Sequence, residues 1–331
     1  MQTSPLKPAR RTRSPQSNLL TLLCCLLLGL AGCHATSLDP RPAELGQAAT
    51  VEKLLRVIDQ PGPVEFTRHL AANWSVDRDG LINLNHPKAQ AAGLEPGDEA
   101  IQLYVYSLRH PQFGTFLVDS GVSEKLLAAT DANPLGWIVQ QAMDTKTLQI
   151  KKSTASLVAE LDEPVAGVFL THIHLDHIMG LVDLQPGTPV YLGSGDASLR
   201  AFEHLATQGT SDRLLANAGH LRTWQFATNL LPAATSQLAD AALIDIFGDA
   251  SVWAISVPGH TPGATAYLVR ATDGVHLLTG DASHTAWGWR HGVEPGSFSV
   301  DQPGSAKSLQ LLLQLAADHP TVQVQPGHQS L

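Results

Sequence analysis

The stretch THIHLDHIMG, residues 171–180, places three imidazoles and a carboxylate within six positions, directly after the apolar run VAGVFL. His172 and His174 are two apart, so in an extended segment they project to one side. Asp176 and His177 follow where the chain must turn. Imidazole nitrogens and carboxylate oxygens suit zinc and its neighbours. A cluster just past a buried strand lies at a sheet edge, where α/β folds bind ligands. The competing reading is a solvated polar turn, which accounts for a lone histidine better than for four such groups at this spacing.

Three later segments carry further donors: PGHTPG supplies His260, TGDAS supplies Asp281 and the last PGH supplies His328, each just after a strand candidate. LVDSG places Asp119 ahead of the cluster. Each segment alone is a weak signal, but in this order they resemble the metallo-β-lactamase superfamily over residues 101–328. The resemblance implies an αββα sandwich, two central sheets flanked by helices, with metals at the sheet edge. It implies that His172, His174 and His260 hold one ion, that Asp176, His177 and His328 hold the other, and that Asp281 bridges them. Two-metal hydrolases hold their ions about 3.5–4 Å apart. Two zinc ions are the expected cofactor, although an all-nitrogen-and-oxygen site also admits iron, manganese or cobalt. Asp119 either orients a ligand histidine through its other ring nitrogen or caps a strand end.

Within the superfamily, the β-lactam hydrolases lack a bridging aspartate at this position and one branch uses a cysteine ligand. This chain has the aspartate and no spare cysteine. Glyoxalase II follows its aspartate with Thr-Leu-Phe, whereas Ala282-Ser283-His284 follows here. The segment DASHT is similar to the DASYT of N-acyl homoserine lactonases and departs from it at His284. The resemblance implies attack of a bridging hydroxide on a lactone or carboxylic ester, with Asp176 passing a proton to the leaving alkoxide. His284 would donate to an oxyanion or shuttle a proton; a plain surface histidine is the other reading. Trp287, Trp289 and Phe298 either wall an acyl pocket or are ordinary core and surface aromatics. The alternatives are β-lactam or phosphodiester hydrolysis and a non-catalytic metal-binding lipoprotein. Nothing basic and aromatic is clustered to hold nucleic acid.

These residues need strands to carry them. Strand candidates are AIQLYVYSL and TFLVDSG, joined by the turn HPQFG, then VAGVFLT, PVYLGS, SVWAISV, ATAYLVR, GVHLLTG and TVQVQ, separated by turn signals such as ATDG. Helical spacing is expected over residues 51–59, stopped by Pro61 and Pro63, over 194–217 and over 305–318, ended by Pro320. The mixture predicts one α/β domain over 51–331.

The N-terminus reads as an export signal. Lys7, Arg10, Arg11 and Arg13 precede the short apolar stretch LLTLLCCLLLGL, which is too short to span a bilayer comfortably. It runs into Leu30-Ala31-Gly32-Cys33, which resembles the lipobox of bacterial lipoproteins; an ordinary signal peptide with a chance cysteine is the other reading. Cleavage before Cys33 would remove residues 1–32 with Cys24 and Cys25, leaving no disulfide and no thiolate metal ligand. Residues 33–50, polar with two prolines, suit a tether. The mature chain would carry 17 basic against 30 acidic side chains, a net charge of −13, which argues against nucleic acid as the main partner. The expected location is the periplasmic side of the cell envelope, with the membrane reached through the lipid anchor.

Overall fold

The computed structural model describes residues 33–128, 133–201, 204–226 and 241–331. Its strands are β1 (Cys33–His34), β2 (Arg41–Pro42), β3 (Gln47–Ala49), β4 (Glu65–Asp77), β5 (Asp98–His110), β6 (Gly114–Val118), β7 (Gln149–Ile150), β8 (Val165–Phe169), β9 (Thr188–Leu192), β10 (Arg200–Ala201), β11 (Ala218–Thr223), β12 (Leu243–Asp245), β13 (Val252–Ser256), β14 (Thr265–Ala271), β15 (Gly274–Leu278) and β16 (Val322–Gln325). One sheet has the order β2-β11-β9-β8-β6-β5-β4-β7 and the other β16-β15-β14-β13-β12-β3.

The buried apolar residues fall into three clusters that define the layers. Between the sheets, Phe116, Phe169, Tyr191, Trp224, Val252 and Tyr267 pack together. Their polar atoms are satisfied internally: Trp224 Nε1 donates to Tyr267 OH at 3.1 Å, and Tyr267 OH donates to Leu170 O at 2.8 Å. Outside the second sheet, Trp253, Leu268 and Leu277 meet Leu309, Leu312 and Leu315 of the helix Gln302–Asp318 and Leu54 of the helix Val51–Leu55. Outside the first sheet, Leu103, Leu117 and Val168 meet Leu157 and Leu214 of the helices Thr154–Ala159 and His204–Leu214. Helices on both outer faces of two packed sheets make the expected αββα sandwich.

Several boundaries differ from the sequence reading. The helix Gln302–Asp318 starts three residues early because the Asp301 side chain caps it, accepting from Gly304 N at 3.1 Å. The helix expected over 194–217 is confined to His204–Leu214, because Gly195 adopts φ +99° and the buried Asp196 fixes a turn ahead of it. The first helix ends at Leu55 rather than continuing to residue 59. β4, 13 residues long, was not anticipated: its register shifts between Leu70 and Ala72, which breaks the alternation that marks a strand. Residues 33–50 do not hang free. β1 pairs with β10, β2 with β11 and β3 with β12, so backbone pairing lays the expected tether against the body. The export segment 1–32 lies outside the described residues.

Candidate metal centre

Four strand ends deliver the ligand-type side chains. β8 leads through Leu170 and Thr171 into His172, His174 and the short helix Leu175–Ile178, which carries Asp176 and His177. The turn between β13 and β14 carries His260, the turn after β15 carries Asp281, and the chain after β16 carries His328. The motif glycines let these segments meet. Gly280 adopts φ +50°, and a Cβ at Gly327 would collide with Asp281 Oδ1.

The seven side chains converge. His260 Nε2 lies 3.1 Å from His172 Nε2 and 2.9 Å from His174 Nδ1. His177 Nε2 and His328 Nε2 lie 3.5 and 3.4 Å from Asp176 Oδ2. Asp281 sits between the groups: Oδ2 is 3.5 Å from His172, 3.4 Å from His260 and 3.4 Å from His177, while Oδ1 is 3.2 Å from His328.

The donor set fits a cation. His177 Nδ1 donates to Asp119 Oδ2 at 2.9 Å and His328 Nδ1 to Gln102 O at 3.1 Å, while His172 Nδ1 lies 3.2 Å from Thr171 Oγ1 and His260 Nδ1 3.2 Å from Ser299 Oγ. The carboxylate and the carbonyl only accept, which turns Nε2 of His177 and His328 inward, and the hydroxyls of Thr171 and Ser299 can accept from His172 and His260 in the same way. His260 Nε2 close to a nitrogen of both His172 and His174 makes a set of imidazole lone pairs that a cation in their midst would satisfy. His177 Nε2 and Asp281 Oδ1 are buried without a hydrogen-bond partner. The sets His172/His174/His260 and Asp176/His177/His328 each bring one ligand atom per residue within 4.8 Å of one another.

Electrostatics separates the two groups. Burial, reinforced by neighbouring imidazoles, holds His172 and His260 well below the ordinary imidazole value and pushes His174 down to about 4, so this group is neutral and ready to ligate. Burial opposes the charging of His177, but Asp119, Asp176 and Asp281 outweigh it and hold its pKa well above the ordinary value. Burial likewise opposes the upward pull of Asp281 and Asp176 on His328, whose pKa is raised. The imidazoles led by His284 and His328 overcome burial and hold Asp281 well below the carboxylate range.

Asp119 makes contacts of both kinds considered for it, to the other ring nitrogen of His177 and to the strand end. Besides holding His177, it accepts from Thr171 N at 2.8 Å at the end of β6, in a left-handed backbone conformation with φ +54°. His284 is 2% exposed, not a surface residue. Its Nδ1 donates to Leu81 O at 3.1 Å and its Nε2 lies 3.0 Å from Asp281 Oδ2. Trp287 and Trp289 do not line the site. Trp287 stacks on His291 with ring centroids 4.2 Å apart, and Trp289 packs with the helix Gln302–Asp318. Phe298 does line it, in a cleft of about 690 Å³ that exposes His174, Asp176 and His284 beside Trp74 and Ile173. Thr171 and Ser299, outside the expected site residues, also contact these rings. Thr171 is the first letter of the histidine cluster and was open to notice; Ser299 carried no signal.

Comparison with known proteins agrees with this geometry. The sequence profile described as the metallo-beta-lactamase superfamily matches residues 104–328. The chain is 29% identical over 170 residues to the N-acyl homoserine lactonase AttM of Azorhizobium caulinodans, covering 49% of this chain and 57% of that protein. It is 30% identical over 125 residues to a hydroxyacylglutathione hydrolase of Neisseria meningitidis, covering 37% of this chain and 36% of that one. The matches thus span about a third to just over half of these relatives. A crystal structure of a quorum-quenching N-acyl homoserine lactone lactonase superposes with a TM-score of 0.56 at 16% identity, covering 82% of this chain and 94% of that one. The profile spans strands of both sheets and all four ligand-bearing segments, and by that match the chain belongs to the metallo-beta-lactamase superfamily.

Proposed function

We propose that this chain is a dinuclear metal-dependent hydrolase that opens a lactone or cleaves a related carboxylic ester. The observation that carries this reading is Asp281, whose carboxylate lies between the two histidine groups, Oδ2 within 3.5 Å of His172, His260 and His177 and Oδ1 3.2 Å from His328, with no thiol among the donors. His172, His174 and His260 would hold one divalent ion, Asp176, His177 and His328 the other, and Asp281 would be shared. Zinc suits these donors. Such a pair supplies a Lewis-acid pull on the carbonyl oxygen and hydroxide at neutral pH.

The chain's own residues do the rest. Trp74, Ile101, Ile173 and Phe298 give the cleft an apolar side for an acyl group. Asp176, partly open to that cleft, is placed to pass a proton to the departing alkoxide. With Nδ1 donating to Leu81 O, His284 has only Nε2 to offer. That nitrogen faces Asp281 Oδ2 and the space a substrate oxygen would occupy, where a donated hydrogen bond would steady developing charge. An alkoxide leaves more readily than an amide nitrogen, so this arrangement favours lactones and esters over β-lactams.

The relatives named as lactonases support the lactone reading, and those named as hydroxyacylglutathione hydrolases add an acyl-glutathione to the substrates worth testing. The test is a panel of lactones, aryl esters, acyl-glutathione, a β-lactam and a phosphodiester with metal-loaded protein. Lactone or ester turnover should exceed β-lactam turnover at least tenfold. Efficient β-lactam opening with no lactone or ester turnover, or activity on the phosphodiester alone, would overturn the reading.

A further inference from the structure

The cleft has an unusual neighbour, the first described residues of the chain. β1 pairs Cys33 with Ala201 and His34 with Arg200, and Ala35 N donates to Leu199 O at 3.1 Å. Ala35 and Leu199 are themselves part of the cleft wall. Thr36 and Ser37 are then pinned by the Asp212 carboxylate, Ser37 N at 2.8 Å. Cys33 is therefore two residues, about 7 Å of extended backbone, from the wall of the substrate cleft. The chain between them is held by hydrogen bonds.

A lipoprotein with a long free tether leaves its body to tumble above the bilayer. Here a lipid on Cys33 would have no tether to hang from. The elements around it also carry exposed apolar side chains. The helix His204–Leu214 contacts β1, β10 and the helix Trp137–Ala142. These two helices expose Leu205, Trp137 and Ile138, with Trp137 74% exposed. Across the cleft, Phe298 and Val300 line it and are also open to solvent, 43% and 49% exposed. The mature body is acidic, so the attraction to a bilayer would come from the anchor and these apolar side chains rather than from charge.

We propose that the lipid on Cys33 seats the β1 edge and the helix His204–Leu214 on the bilayer surface, so that the cleft opens at the lipid interface and takes acyl-bearing lactones or esters that partition into the membrane. The inference rests on the lipobox reading for the anchor and on the hydrolase reading for the substrate class. A long acyl chain would reach the cleft from the bilayer along the apolar rim, its polar ring directed toward His174, Asp176 and His284. A short-chain, water-soluble substrate would gain nothing from this placement.

The test uses full-length lipidated protein, metal-loaded, in vesicles of phosphatidylethanolamine and phosphatidylglycerol. With Cys33 lipidated, no other thiol remains after signal cleavage, so Leu205→Cys and Gln314→Cys can each take a single nitroxide label. Gln314 lies on the helix outside the opposite sheet. The label at 205 should favour collisions with oxygen over those with a water-soluble nickel chelate, and the label at 314 should show the reverse. The catalytic comparison sets the lipidated protein against unlipidated Cys33→Ser protein. On N-dodecanoyl homoserine lactone, kcat/KM should be at least tenfold higher for the anchored form, and on N-butanoyl homoserine lactone the two forms should agree within twofold. Equal nickel accessibility of both labels would overturn the seating. An immersed 205 label with equal long-chain rates would overturn interfacial delivery. An immersed label with no turnover of either lactone would leave the seating standing and overturn lactone delivery, and no ester turnover besides would overturn the hydrolase reading.

Discussion

Asp281 is the residue on which the site turns, because its carboxylate faces both histidine groups while every neighbouring imidazole except His174 is pinned from behind by a hydroxyl, a carbonyl or a carboxylate. The ligand-type residues were legible in the sequence, since His-x-His-x-Asp-His after an apolar run has few structural uses. Their supports were less legible. The carbonyls of Gln102 and Leu81 belong to any residue type, and Ser299 reaches His260 only through the loop packed across it. His284 is where the residue-scale account is most exposed. His284→Ala should lower lactone turnover at least tenfold while elemental analysis still finds the metal content of the parent. His284→Gln, which keeps an N–H donor, should recover part of the loss. Unchanged turnover in His284→Ala would remove the donor role assigned to it.

At the scale of elements, the site depends on two loops held in register. A Cβ at Gly193, after β9, would strike the backbone of Gly263 between β13 and β14. The buried Asp196 accepts from Gly263 N at 2.7 Å beside that contact. Burial pushes the pKa of Asp196 up to about 6 from its ordinary 3.8. The folded protein therefore holds a proton that the unfolded chain has released between about pH 4 and pH 6. Stability falls as pH rises through that window and stays at the lower level above it. Asp196→Asn keeps an oxygen for Gly263 and removes the ionisation. In urea unfolding of metal-free protein, it should gain on the order of 3 kcal/mol relative to the parent at pH 7.5 and little at pH 4. A difference that does not change with pH would contradict this. Of the elements, strands with clean apolar runs were legible. β4 was not, because its bulge conceals its period. The pairing of residues 33–50 was not either, because strands of two or three residues leave no pattern.

The whole molecule is two sheets packed face to face, with helices outside and the metal-type side chains gathered where β8, β13, β15 and β16 end. The sandwich was legible only through the resemblance carried by the motifs; composition and periodicity alone stopped at an α/β domain. Among the described residues, no helix is long and apolar enough to cross a membrane.

The central claim is that two ions share Asp281, and metal content tests it most directly. Protein purified without chelator and analysed by plasma emission should contain about two divalent ions per chain. Asp281→Ala should lower that content and reduce turnover at least a hundredfold while the fold is kept, as judged by circular dichroism. Well under one ion per chain in the parent after incubation with zinc, or full metal content and near-normal turnover in Asp281→Ala, would contradict the account.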